Sequence, residues 1–343
     1  MGRLHFRDIS PQAWAHPQDL SGQAMLKRIP GLTALERWRS RFQDAALKDI
    51  LGCGFEPVTA TTYPKIEEIY AHARAVLDVP QRYPLYVIEQ NQPNAGVIGV
   101  HQPSIVLTRG AVTKLSDTGI MGILGHELSH ILLNHLLFFR AYRLLMLSSW
   151  LSLPLPITSP VRGALRKSLW DWRRMSELSA DRAELLVTQD VDGFFQTTKR
   201  ISLSEPESVS DERFRELLLA ELGPEVRSWD DVMEHLSVFM ESTHPLTAIR
   251  VRSIETWAQG PDYQAILSGT YARRSRNGEV MSKQDCRLWQ AAQDELADLD
   301  VDWEGPSTEG AAAYGRAREA QKRTSKAAGS LGIQLRRLLN RRK

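Results

Sequence analysis

The sequence predicts an α+β fold that is mostly helical, with a small mixed sheet, and three observations carry that reading. Apolar residues recur at helical spacing over long stretches, as at Ile66, Ile69, Tyr70, Ala73 and Val76. A short block between residues 84 and 108 holds three runs rich in β-branched and apolar residues, separated by turn residues. A strongly apolar helix then carries His-Glu-Leu-Ser-His at 126–130.

Taken in order, residues 1–58 read as an N-terminal helical arm. Leu20, Met25, Leu26, Ile29 and Leu32 are apolar, Pro30-Gly31 marks a turn, and Leu35 to Leu51 is amphipathic. Residues 59–270 read as the main domain. Within it, 63–78 is a helix and 84–89 a strand. Gln90 to Gly96 forms a turn, and 97–100 and 104–108 are two further strands bridged by His101-Gln102-Pro103. Asp117 and Thr118 can cap the helix that runs through the histidines. A second long helix spans 163–189, and 203–213 is polar and loop-like. Helices follow at 214–222 and 229–241, and His244-Pro245 starts one that reaches Trp257, because proline suits a first helical turn. Residues 271–302 read as a C-terminal helical extension. Residues 303–343 read as a flexible linker and basic tail, with ten Lys or Arg and one acid, Glu319, from Arg316 onward.

Composition sets wide bounds. The chain has 343 residues, 42% hydrophobic and 24% charged, which is ordinary for a globular protein. A net charge of +2 argues neither for nor against a nucleic-acid partner, and no specific one is predicted. Two distant cysteines, Cys53 and Cys286, exclude a disulfide framework and a Cys-x-x-Cys metal site. The N-terminus lacks an apolar signal region, so a cytoplasmic protein is expected. Residues 131–157 are apolar but interrupted by Arg140, Arg143, Pro154 and Pro156. A buried or amphipathic helix followed by a loop is expected there, with membrane-surface contact as the alternative. The leucines and arginines of the basic tail allow the same contact.

The H-E-x-x-H pattern has a mechanical meaning. His126 and His130 are one turn apart, so both imidazoles leave the same helix face and can hold zinc. Glu127 is rotated to the side, where its carboxylate can act as a general base on water. By chance the pentapeptide arises in a chain this long roughly a few per cent of the time. The apolar helix around it raises its weight, because two histidines and a glutamate are expensive to bury without partners. His135 lies nine residues from His126, which at about 100° per residue places it on the opposite helix face in a structural or solvent role. Glu177 and Asp181 are one turn apart on the second long helix. Glu177 can supply a third ligand, and Asp181 can accept a hydrogen bond from a ligand histidine.

Three blocks together resemble the gluzincin metallopeptidases of the HtpX and CAAX-prenyl-protease type. They are Gly-His-Glu-Leu-Ser-His at 125–130, Glu-Leu-Ser-Ala-Asp at 177–181 and Ser-Thr-His-Pro-Leu-Thr-Ala-Ile-Arg at 242–250. Upstream, Pro-Asn-Ala-Gly at 93–96 and Ser-Ile-Val-Leu-Thr-Arg-Gly at 104–110 also match, so the resemblance covers residues 60–258. It implies a zincin-like catalytic domain with one zinc ion held by His126, His130 and Glu177, with Asp181 orienting a ligand histidine. It implies a metalloendopeptidase acting on a peptide or protein substrate, with Glu127 as base and proton shuttle. His244 and Arg250 would lie near the metal and stabilise the oxyanion, or His244 would occupy the open zinc position at rest. The strand near 97–100 would be the edge that aligns an extended peptide. The alternative function is a catalytically silent relative that binds proteins or acts as a membrane-associated quality-control factor.

Overall fold

A computed structural model describes residues 3–27, 54–99, 102–139, 159–222 and 247–274. The chain forms two compact units: residues 1–141 with 172–301, and residues 142–171 with 302–343. Of the second unit, only the residues from Ser159 to Asp171, within one helix, are described. The packing that follows is that of the first unit.

Four short strands form one mixed sheet in the order β1-β2-β4-β3. They are β1 (Phe55–Pro57), β2 (Leu85–Ile88), β3 (Ala95–Ile98) and β4 (Ser104–Thr108). β1 and β3 run antiparallel to β2 and β4 respectively, and β2 runs parallel to β4. All five β4 residues are buried, which explains why Ile105, Val106 and Leu107 follow one another without a polar break: a strand covered on both faces does not alternate. β1 was not anticipated, since residues 1–58 read as a helical arm. Its three residues are too few to show a period, and their pairing with Tyr86, Val87 and Ile88 defines them.

The first helix, α1 (Pro17–Lys27), follows a short 3-10 turn at Pro11–Ala13. α2 (Pro64–Val76) buries the stripe Ile66, Ile69, Tyr70, Ala73 and Val76, the same residues that define its apolar face in the sequence. α3 (Arg109–Lys114) leads into α4 (Asp117–Leu132). The cap of α4 is Ser116, whose hydroxyl accepts from the Gly119 N–H, while Asp117 sits inside the first turn. α5 spans Ser159–Thr188, and Asp190 then caps α6 (Val191–Ser202) by accepting from the Gly193 N–H. α7 (Asp211–Leu222), α8 (Thr247–Gln259) and α9 (Pro261–Leu267) follow. The core joins the α2 stripe, Leu85, Val87, Ile105 and Leu107 of the sheet, the apolar residues of α4, and Ile249, Ile254 and Trp257 of α8. Among the described residues, no helix is long and apolar enough to cross a membrane.

Candidate active site

Every residue of α4 from Gly119 to His130 is buried. Two glycines let α5 approach it closely. A Cβ on Gly125 would stand 2.4 Å from Val187 Cγ2, and one on Gly122 would stand 2.9 Å from Glu184 Oε1. Glu177, Asp181 and Glu184 lie four and three residues apart along α5, so all three carboxylates face the same side. That side meets the histidines of α4.

His126 Nε2 and His130 Nε2 are 3.2 Å apart. Glu177 Oε2 lies 3.4 Å from His126 Nε2, and Glu177 Oε1 lies 3.8 Å from His130 Nε2. Two ligand atoms bound at about 2.0–2.1 Å to one tetrahedral ion stand about 3.3–3.4 Å apart. The three donors therefore fit zinc, both in chemistry and in spacing, and they form a buried cluster able to hold a metal ion. Glu127 is also buried, one position along the same helix.

On its other ring nitrogen, His126 meets two more carboxylates. Nδ1 is 3.1 Å from Asp181 Oδ1, at ion-pair distance but without hydrogen-bond alignment, and 3.8 Å from Glu184 Oε2. Burial works against a charge on His126, but Asp181 and Glu177 outweigh it and raise its pKa to about 10. His126, Asp181 and Glu184 also form a metal-capable group. Arg250 already occupies Asp181 there, donating from Nε at 2.8 Å and from an Nη at 2.5 Å, so a cation is already present on that side. Burial opposes the charge on Asp181, and the guanidinium overrides it and holds the carboxyl below its ordinary range. Burial raises the Glu184 pKa to about 7, against the opposing pull of His126 and Arg250.

The structure thus brings the buried His126, Glu127, His130, Glu177 and Asp181 together with the half-buried Arg250. Arg250 reaches them through the Asp181 carboxylate. His244 lies outside the described residues, as do the expected helix at 229–241 and the basic tail.

One expectation is corrected. His135 is not on the far side of the helix. α4 stops at Leu132, Asn134 takes a left-handed conformation with φ of 60°, and residues 135–139 begin a new helical turn. Counting 100° per residue across that break fails. His135 is fully buried, and its Nδ1 lies 2.8 Å from His130 Nδ1. Its Nε2 lies 2.9 Å from Asp19 Oδ2, on α1. Asp19 and Glu184 escaped sequence reading because neither has a local pattern; only Glu184 carried a hint, at one turn beyond Asp181 on the same face.

Comparison with known proteins agrees with this geometry. The model of peptidase family M48 matches residues 60–258. The plastoglobule-localized metallopeptidase 48, chloroplastic, of Arabidopsis thaliana is similar, with 25% identity over 280 residues and 77% of each chain covered. The matched span runs from the start of α2 to the end of α8 and encloses the whole histidine–carboxylate cluster; a metallopeptidase by these matches, the chain belongs to peptidase family M48.

Proposed function

We propose that this chain is a zinc-dependent metalloendopeptidase whose metal ligands are His126, His130 and Glu177. The carrying observation is the mutual spacing of their donor atoms, 3.2, 3.4 and 3.8 Å, in a buried site. Zinc held there supplies Lewis acidity toward a water molecule and toward the scissile carbonyl oxygen. Every remaining task falls to the chain itself. The Glu127 carboxylate accepts a proton from the attacking water, whose oxygen adds to the carbonyl carbon. The same carboxyl then delivers that proton to the leaving amine nitrogen as the C–N bond breaks. Asp181 holds the His126 ring from behind, and Arg250 keeps Asp181 ionised and in place. β3 ends the strand order beside α4, where an extended peptide can add as a further strand. His244 remains the proposed oxyanion-side residue from the sequence pattern.

Two variants test the assignment. Glu127→Gln keeps zinc near one equivalent and lowers peptide hydrolysis by about 10²–10⁴-fold. Glu177→Ala loses zinc on dialysis. Wild-type turnover in the first variant, or full zinc occupancy in the second, removes the corresponding role. A catalytically silent protein-binding relative would show zinc but no chelator-sensitive cleavage of an unfolded protein such as casein.

A further inference from the structure

We propose that Asp19 and His135 are positioning residues for the metal centre, fixing the tautomer and orientation of His130 from the first helix of the chain. The proposal rests on the reading of His130 as a metal ligand and adds to it a part that neither α4 nor α5 supplies.

The argument is an accounting of protons. Asp19 is fully buried, and its carboxylate meets four partners. Oδ1 accepts from Trp172 Nε1–H at 2.8 Å and from the Gln23 side-chain amide at 3.1 Å. Oδ2 accepts from Ser179 Oγ–H at 2.6 Å and faces His135 Nε2 at 2.9 Å. An indole N–H and an amide NH₂ only donate, and an ionised carboxylate only accepts. His135 Nε2 therefore carries a hydrogen. In a neutral imidazole the other nitrogen is then an acceptor. His135 Nδ1, 2.8 Å from His130 Nδ1, takes the His130 Nδ1–H. That leaves His130 Nε2 with a free lone pair, directed toward His126 Nε2 and Glu177. One tautomer of each ring satisfies every contact, and it is the tautomer that metal binding by Nε2 requires.

The surroundings enforce the chain of contacts. The two rings meet at 67° with centroids 5.0 Å apart, and Phe139 and Trp172 pack edge-on or tilted against them. His130, His135 and Asp19 are all buried, so water does not compete for these hydrogen bonds. Asp19 is itself anchored from two directions. Trp172 and Ser179 belong to α5, and Gly22 on α1 lies against the Trp172 side chain, where a Cβ would come within 2.6 Å of Cδ1. Nearby, Trp14 Nε1 donates to Ser129 Oγ, one residue before His130, and the His16 N–H donates to Ser179 Oγ. The segment from Trp14 to Gln23 is thus laid across the back of the metal cluster.

The test uses the full chain with Asp19→Asn, His135→Phe, Ser179→Ala and Glu177→Ala. Asparagine keeps the shape of Asp19 but turns an NH₂ toward two donors on one side. Trp172 Nε1–H can only donate, so the amide oxygen stays on its side, the NH₂ faces His135, and both histidines shift to the wrong tautomer. Zinc affinity is measured by chelator competition, the ligand field by the absorption of the cobalt(II)-substituted protein, and folding of the metal-free protein by circular dichroism. Asp19→Asn and His135→Phe are expected to weaken zinc binding about 10–100-fold and to shift the cobalt spectrum. Ser179→Ala, which removes one donor from Asp19 and leaves the relay intact, is expected to change stability with little change in either metal readout. Wild-type zinc affinity and cobalt spectrum in folded Asp19→Asn overturn the proposal; if that variant does not fold, the same result in His135→Phe overturns it. Should Glu177→Ala also bind zinc like the wild type, the failure belongs to the metal-site reading rather than to the relay.

Discussion

Asp181 shows how much one buried carboxylate can organise. It is fully buried, faces His126 Nδ1 on one side and receives two hydrogen bonds from Arg250 on the other. Burial opposes the charge on Arg250, but Asp181 outweighs it and raises the guanidinium pKa further above its usual value. Such a pair is costly to break on one side only, because the remaining charge is left without a partner. Arg250→Met is therefore expected to destabilise the protein by about 3–5 kcal/mol in urea unfolding, and to weaken zinc binding as Asp181 loses its hold. A loss below about 1 kcal/mol would show that the pair contributes little beyond packing. Asp19 offers a pH-dependent counterpart. Burial raises its pKa, yet His135 and the hydrogen bonds from His135, Ser179 and Gln23 together lower it to about 2 from an ordinary 3.8. The folded pKa is depressed, so the unfolded chain binds more protons between these values and stability rises with pH there. The contribution of Asp19 is present above about pH 4 and lost as pH falls through about 2. The stability gap between the metal-free wild type and Asp19→Asn should accordingly be flat above pH 5 and narrow below pH 4. A gap that is unchanged down to pH 2 contradicts this.

At the scale of elements, the active-site helix owes its position to what it lacks. α4 is buried from Gly119 to His130, and its glycines sit where α5 comes closest. Gly125→Ala places a methyl 2.4 Å from Val187 Cγ2 and 3.3 Å from the Ala183 carbonyl oxygen. The backbone cannot yield cheaply, so a loss of about 1–3 kcal/mol is expected. Because the same displacement moves Glu177 and Asp181 away from the histidines, zinc affinity should fall with stability. A variant as stable as the wild type with unchanged zinc affinity would mean that the two helices have slack at this point. The end of α4 matters equally. Leu133 closes the helix and Asn134 turns the chain with φ of 60°. That turn, rather than the helical period, places His135 beside His130. A straight-helix reading puts His135 half a circle away, and nothing in Leu132-Leu133-Asn134 marks the stop strongly, since asparagine is only one of several residues that tolerate a left-handed cap.

For the molecule as a whole, the candidate ligands come from two helices far apart in sequence, with α1 behind them and α8 clamping Asp181. A metal that binds only the assembled cluster stabilises the folded state by mass action, about 4 kcal/mol when free zinc exceeds its dissociation constant 1,000-fold. Adding zinc to the metal-free protein should raise its thermal midpoint, and Glu177→Ala should show no such rise. An equal rise in both proteins would locate the metal elsewhere.

Much of this was legible in the chain. Helical and strand periods marked α2, α4, the sheet strands β2 and β4 and the face of α5, because each buries one stripe or one short run. The spacing in H-E-x-x-H and in E-x-x-x-D placed two pairs of side chains on two helix faces, because one helical turn does that wherever the helix sits. The three-residue β1, the roles open to Glu184 and Asp19, and the place of His135 were not legible. β1 exists only through pairing with β2. Glu184 and Asp19 draw their chemistry from burial and from partners up to 160 residues away, such as Ser179 for Asp19. By itself, the sequence determined the donor types and the helices that present them, since both follow from local covalent spacing. Only the tertiary structure decided which donors meet, which tautomer they share and that the first helix stands behind them, because those depend on long-range burial and on hydrogen bonds between distant segments.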